Sequence, residues 1–109
     1  MKDMTLREVC NIAKVTRRAV QGYEKAGLVS ATGKNERGYL LYDVNSQERI
    51  KQIKLFQRLG FSIREITYII DAPNNILKSA LEEKLKKLRE KRENMEMLID
   101  KANELIEKL

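Results

Sequence analysis

From Ile76 to Leu109 the chain runs without a glycine or a proline, and most of its residues are strong helix formers. Alternating steps of four and three along this stretch mark Leu81, Leu85, Leu88, Arg92, Met95, Ile99, Ala102, Ile106 and Leu109. All but Arg92 are apolar. This is the a/d seam of a coiled coil over roughly four heptads. At about 1.5 Å per residue such a helix is about 50 Å long. The residues before it make one small domain, too short to cover a stripe of that length. Each apolar side chain left in water forfeits roughly 1.5–3 kcal/mol, so a partner helix is expected. A second copy of the same chain is its simplest source, giving a homodimer. The alternative is that the helix belongs to a longer protein of which this chain is a fragment.

The rest of the composition narrows the chemistry. Among 109 residues there is no His and a single cysteine, Cys10. Transition-metal sites draw on several imidazoles or thiolates, so no metal and no cofactor are expected. Acid–base and nucleophilic catalysis lose their commonest partner, and no nucleophile–base pair stands out, so an enzyme is not expected. Cys10 alone cannot form an intramolecular disulfide, and its default role is a small core side chain. The opening Met1-Lys2-Asp3-Met4-Thr5 has no apolar run like that of a secretory signal, and no stretch is long enough to span a membrane. A cytoplasmic location is expected.

The formal charge of +6 is unevenly placed. From Met1 to Ile70 there are 13 Lys and Arg against 7 Asp and Glu, and from Asp71 to Leu109 there are 9 against 9. The whole positive excess lies in the first part, which points that part at a polyanion.

Thr5-Leu6-Arg7-Glu8 has the form of a capping box, opening a helix that ends near Ala13. Thr16 caps a second helix that runs to about Ala26, with Gly27 as its stop. Two short helices so joined make a helix-turn-helix. Leu28-Val29 and Tyr39-Leu40-Leu41-Tyr42 read as strand pieces flanking a polar segment with two glycines, which predicts a small β-hairpin wing. A third helix starts around Asn45 or Ser46 and ends at Gly60, and Ser62-Ile63-Arg64-Glu65 is a second capping box that opens a fourth. Asp71-Ala72-Pro73-Asn74-Asn75 breaks the chain. The expected organisation is a domain over residues 1–72 and a dimerisation helix over residues 76–109.

In a helix-turn-helix the start of the second helix enters the major groove of double-stranded DNA. Arg17 and Gln21 share a face there, with Arg18 beside them. Arg pairs with guanine and Gln with adenine through two hydrogen bonds each. Thr16 and the helix N-terminus favour a phosphate. Tyr23 is expected to pack inward while offering its hydroxyl to a phosphate. Lys34, Arg37 and Tyr39 on the wing are candidates for backbone or minor-groove contacts, and Arg58 sits before a Gly60-Phe61-Ser62 turn that makes a second wing.

Arg18-Ala19-Val20, Tyr23-Glu24-Lys25-Ala26-Gly27-Leu28, Gly38-Tyr39, Leu41-Tyr42-Asp43 and Arg58-Leu59-Gly60-Phe61-Ser62, in this order and spacing, resemble the N-terminal domain of MerR-type regulators from about Leu6 to Ile70. The long helix that follows resembles that family's antiparallel dimerisation helix. The resemblance covers no effector domain and brings no cysteine pair like that of the metal-sensing members. It implies a mainly α fold: a winged helix-turn-helix followed by a long C-terminal helix that forms an antiparallel coiled coil in a dimer. It also implies a transcription regulator that binds pseudo-palindromic promoter DNA, bends and untwists it, and meets RNA polymerase there. Arg92, near the helix midpoint, would then lie near the two-fold axis.

Three departures stand out. Family members usually carry Arg and an aromatic residue where this chain has Gln21 and Gly22, Arg where it has Leu40, and a Pro-rich start to the wing where it has Ser30-Ala31. Weaker or differently specific DNA binding is the expectation. Two alternatives use the same fold: a DNA-architectural or recombination accessory factor, and a protein-interaction adaptor with weakened DNA binding.

Overall fold

A computed structural model describes residues 2–109. The chain divides into two compact units, one ending at Ala72 and the other running from Pro73 to Leu109. The first contains β1 (Met4–Thr5), α1 (Leu6–Ala13), α2 (Arg17–Lys25), β2 (Gly33–Lys34), β3 (Leu40–Tyr42), α3 (Val44–Leu59) and α4 (Ile63–Ile69). The second is a single helix, α5 (Asn74–Glu107).

Local chemistry sets most helix ends. The Glu8 amide donates to Thr5 Oγ1 and the Thr5 amide donates to Glu8 Oε1, closing the capping box that starts α1. Ser62 and Glu65 repeat the device at α4. Thr16 caps α2 by accepting from the Ala19 amide at 3.0 Å. Asp43 caps α3 by accepting from the Ser46 amide, so this helix begins at Val44, earlier than the expected Asn45 or Ser46. Gly60 closes α3 with φ 107°, a conformation open to glycine at little cost. Lys14 closes α1 in the left-handed region at φ 55° without being glycine.

The strands depart from expectation. Leu28 and Val29 are not a strand: Leu28 is buried, and its carbonyl accepts from Arg49 Nε at 2.9 Å, so it serves the core and a side chain rather than a ladder. The sheet has three short strands in the order β1-β3-β2, all antiparallel. β1 pairs Met4 with Tyr42 and Thr5 with Leu41, while β2 pairs Gly33 with Leu41 and Lys34 with Leu40. β3 starts at Leu40, leaving Tyr39 in the turn.

Val9, Val20, Tyr23, Tyr42, Ile50, Ile53 and Ile66 form the fully buried centre of the first unit. Phe56 and Phe61 pack edge to face across the end of α3, ring centroids 5.9 Å apart. The buried Gln47 donates to the carbonyls of Lys2 and Tyr42, tying the start of the chain to the end of β3. Arg49 reaches Asp71 through two hydrogen bonds, at 2.8 and 2.6 Å, and so links α3 to the end of the unit.

α5 begins at Asn74, two residues before the expected Ile76, with Pro73 at its N-cap. Pro73 has no backbone N–H to lose at that position and its carbonyl accepts from Ile76 and Leu77. The helix ends at Glu107, so Leu109 lies beyond it. None of its residues is buried. Met95, Ile99 and Ile106 are 55–64 % exposed, and Leu85 and Leu88 are exposed too.

Candidate nucleic-acid interface

The side chains singled out in the sequence come mainly from two elements of the first unit. Arg17, Arg18 and Gln21 stand exposed on the first turns of α2, and Lys25 follows one turn on from Gln21. Residues four apart on a helix lie on one face, so Arg17, Gln21 and Lys25 form a row with Arg18 beside it. Thr16 satisfies one amide of the first turn, and the remaining ones, with the positive end of the helix dipole, favour an anion.

The wing supplies the second group. Lys34 is exposed on β2, Arg37 and Tyr39 are exposed in the turn, and Tyr39 is 58 % exposed. Asn35 shapes this turn: its Oδ1 accepts from the amides of both Arg37 and Tyr39 at 3.0 Å, and Gly38 completes it with φ 81°. At the wing's root, Thr32 Oγ1 accepts from the Asp43 amide at 2.8 Å. Arg58 is exposed in the last turn of α3, just before Gly60.

Tyr23 leaves this set. It is 1 % exposed, and its hydroxyl donates to Gln57 Oε1 at 2.6 Å. The proton expected for a phosphate is committed to α3, and burial pushes the hydroxyl's pKa up. Tyr42, also 1 % exposed, donates its hydroxyl to Glu24 of α2. Burial, then the bond to Glu24 and its charge, holds the Tyr42 hydroxyl well above the ordinary tyrosine range. Two buried phenols therefore fasten the back of α2, one to α3 and one to β3, while its front carries the arginines. Burial also raises the Cys10 thiol, against the smaller opposing pull of Arg17, which disfavours the reactive thiolate.

Several working residues escaped the sequence reading. Glu24, Tyr42 and Gln57 bond across the fold rather than along a periodic pattern. Asn35 had a local signal, an Asn opening a turn that closes on glycine. Arg7 entered the sequence pattern only as a member of the Thr5-Leu6-Arg7-Glu8 capping box, yet it lines a groove with Arg17, Tyr39 and Leu40.

Among the described residues no group of three or more His, Cys, Asp or Glu stands close enough to hold a metal ion, and no helix is long and apolar enough to cross a membrane.

Residues 4–72 match the family described as MerR HTH family regulatory protein, and residues 47–109 match the family described as MerR, DNA binding. The chain is 31 % identical over 94 residues to the HTH-type transcriptional activator mta of Bacillus subtilis, covering 86 % of this chain and 37 % of that protein. It spans about a third of the length of the first curated relatives it matches. The crystal structure of the N-terminus of MtaN, the Bacillus subtilis multidrug transporter activator, superposes with a TM-score of 0.68 at 28 % identity, covering 94 % of this chain and 97 % of that one. HiNmlR, a MerR family regulator lacking the sensor domain and solved bound to promoter DNA, has the same fold, with a TM-score of 0.74 at 16 % identity over 91 % of this chain and 80 % of that one. With a second helix braced twice along its inner side, a three-stranded wing and two family matches that together run from residue 4 to residue 109, this chain belongs to the MerR family of helix-turn-helix regulatory proteins.

Proposed function

We propose that the protein is a sequence-specific DNA-binding transcription regulator that acts as a homodimer on pseudo-palindromic promoter DNA. The observation that carries this reading is the placement of Arg17, Arg18 and Gln21 on the outer side of a helix whose inner side is pinned by Tyr23 and Tyr42. Rigidly held donors lose little conformational freedom on binding, and Arg and Gln present the paired donors and acceptors that read base edges in the major groove. Residues 1–72 are the DNA-binding domain in this reading. Thr16, Lys34, Arg37, Tyr39 and Arg58 hold the phosphate backbone beside the recognition helix.

Residues 76–109 are the dimerisation element. The seam from Leu81 to Ile106, half-buried at Leu81 and exposed from Leu85 onward, is covered by the same helix of a second copy running antiparallel, with Arg92 near the two-fold axis. Two recognition helices set by one rigid coiled coil fix the half-site spacing, and bending or untwisting the duplex between them costs several kcal/mol that the contacts offset. The protein works in the cytoplasm, without a cofactor and without catalysing a reaction, at promoters served by RNA polymerase. The family membership and the DNA-bound relative of the same fold support this reading.

The test is selection of bound sequences from a random duplex library by the full chain. The bound pool is expected to converge on an inverted repeat. A pool with no shared sequence, or with a single unrepeated half-site, overturns the proposal.

A further inference from the structure

A groove of about 470 Å³ runs between the wing and the beginning of the helix-turn-helix. Leu6 and Arg7 line it from α1, Arg17 from α2, and Tyr39 and Leu40 from the wing. None of its described lining residues is acidic, and no salt bridge pairs Arg7 or Arg17 among the described residues. Two guanidiniums on separate helices thus share one concavity with nothing to neutralise them. Like charges so placed repel, and an anion seated between them relieves the repulsion.

The walls narrow the choice of anion. Guanidinium groups grip phosphate through paired hydrogen bonds. A bare inorganic phosphate has no use for apolar walls, yet Leu40 is 38 % exposed and Tyr39 more so beside the arginines. A strand of DNA presents both parts, an anionic phosphodiester and the apolar face of a deoxyribose. Arg17 belongs to the groove and also to the row on α2, so a strand lying along that row passes the groove's mouth.

We propose that this groove seats one phosphodiester of the DNA backbone, with Arg7 gripping it opposite Arg17 and with Tyr39 and Leu40 packing on the adjoining sugar. The assignment rests on the DNA-binding reading above and adds Arg7 as a positioning residue. Arg7 then contributes affinity and register but no sequence information. Neutralising one phosphate releases its counterion, so the two Arg7 residues of a bound dimer together account for about 1.8 of the slope of log affinity against log salt.

The experiment titrates the full chain against two fluorescent duplexes over a series of salt concentrations. One duplex carries the sequence recovered by selection and the other is of mixed sequence, each long enough for two half-sites. Arg7→Gln removes the contact from both half-sites, so it is expected to weaken binding about 10- to 100-fold on both duplexes alike and to lower the salt slope by about 1.8. Leu40→Arg, which brings a third guanidinium into the groove, is expected to tighten binding on both and to steepen the slope by a similar amount. This second variant gains function, so it stays informative if Arg7→Gln folds poorly.

Wild-type chain that binds neither duplex overturns the DNA-binding reading itself. Wild-type binding that weakens with Arg17→Gln but not with Arg7→Gln overturns the groove alone. A loss confined to the selected duplex makes Arg7 a base reader and overturns the phosphate assignment. A parallel titration with thymidine monophosphate in the absence of DNA separates the sources of the anion. Saturable binding that Arg7→Gln abolishes would give the groove to a soluble nucleotide and overturn the proposal, whereas no saturable binding supports the DNA strand.

Discussion

The Tyr42 hydroxyl, at the end of β3, donates to a carboxylate oxygen of Glu24, on α2 and eighteen residues earlier in the chain. The bond joins the root of the wing to the helix that carries Arg17, Arg18 and Gln21. Hydrogen bonds to charged groups contribute about 1.5–3 kcal/mol. Tyr42→Phe is therefore expected to lower the stability of the full chain by that amount in chemical denaturation. It is also expected to loosen DNA binding, because the wing and the recognition helix no longer move as one body.

The same residue sets an alkaline limit. The pKa of Tyr42 is raised in the folded chain, and that of Tyr23 is raised as well. Below the ordinary tyrosine value near 10, both states keep the proton and this stability is fully present. Above about pH 10 the unfolded chain releases the proton while the folded chain retains it, so stability falls with pH by up to about 1.4 kcal/mol per unit for each phenol. Melting temperatures measured across this window are expected to fall less steeply for Tyr42→Phe than for the wild type. Parallel curves would remove Tyr42 as the cause.

Two backbone positions on the helix-turn-helix call for opposite substitutions. A Cβ added at Gly22 meets nothing within 4 Å, so Gly22→Ala is expected to stabilise the chain by about 1 kcal/mol. Lys14 holds φ 55°, where an L side chain costs roughly 1–2 kcal/mol. Lys14→Gly removes that strain against about 0.5–1 kcal/mol of added freedom in the unfolded chain, for an expected net gain of up to about 1.5 kcal/mol. Thermal melting checks both, and a lower Tm for either variant contradicts the local geometry.

For the exposed front of α2, Arg17→Ala combined with Arg18→Ala is expected to weaken binding and to reduce the preference for the selected sequence over a mixed one, because this face reads base edges. An equal loss on every duplex with the preference intact, and a slope lower by about 3.6 for the four arginines of a dimer, would assign both to phosphates instead. Tyr23→Phe, whose hydroxyl faces Gln57, is expected to leave the slope unchanged.

On α5, Ile99→Glu places a charge in the seam and is expected to shift the chain from dimer to monomer in sedimentation, with a melting temperature that no longer depends on concentration. Orientation has its own check. In a Cys10→Ser background, Arg92→Cys is expected to cross-link two copies on oxidation, whereas Leu81→Cys is not, because antiparallel helices bring only their midpoints together. Equal cross-linking at both positions would indicate parallel helices.

The departures from the sequence reading share a cause. α3 starts at Val44 because Asp43, ahead of the expected Asn45 or Ser46, supplies the cap. Leu28 and Val29 have the composition of a strand, but no strand stands beside them, and Leu28 is drawn into the core instead. β1 is two residues long and carries no periodic signal; it exists because Tyr42 and Leu41 lie alongside to pair with it. Tyr23 kept its inward direction but gave its hydroxyl to Gln57, thirty-four residues away.

By itself the sequence determined what depends on neighbours three or four residues apart. The capping boxes at Thr5 and Ser62, the helix ends at Gly27 and Gly60, the row from Arg17 to Lys25 and the unbroken apolar spacing along α5 all follow from helical geometry and local hydrogen bonding. The uneven charge, too, is a property of the chain before it folds. The tertiary structure decided what closes over long loops: the bonds from Tyr23 to Gln57 and from Tyr42 to Glu24, the third strand of the wing, and the meeting of Arg7 with Arg17, Tyr39 and Leu40 around one groove. Such contacts have no repeating interval along the chain. They arise only when α1, α2, α3 and the wing pack on a shared core and bring polar groups to the same place, where leaving one unpaired would cost more than pairing it.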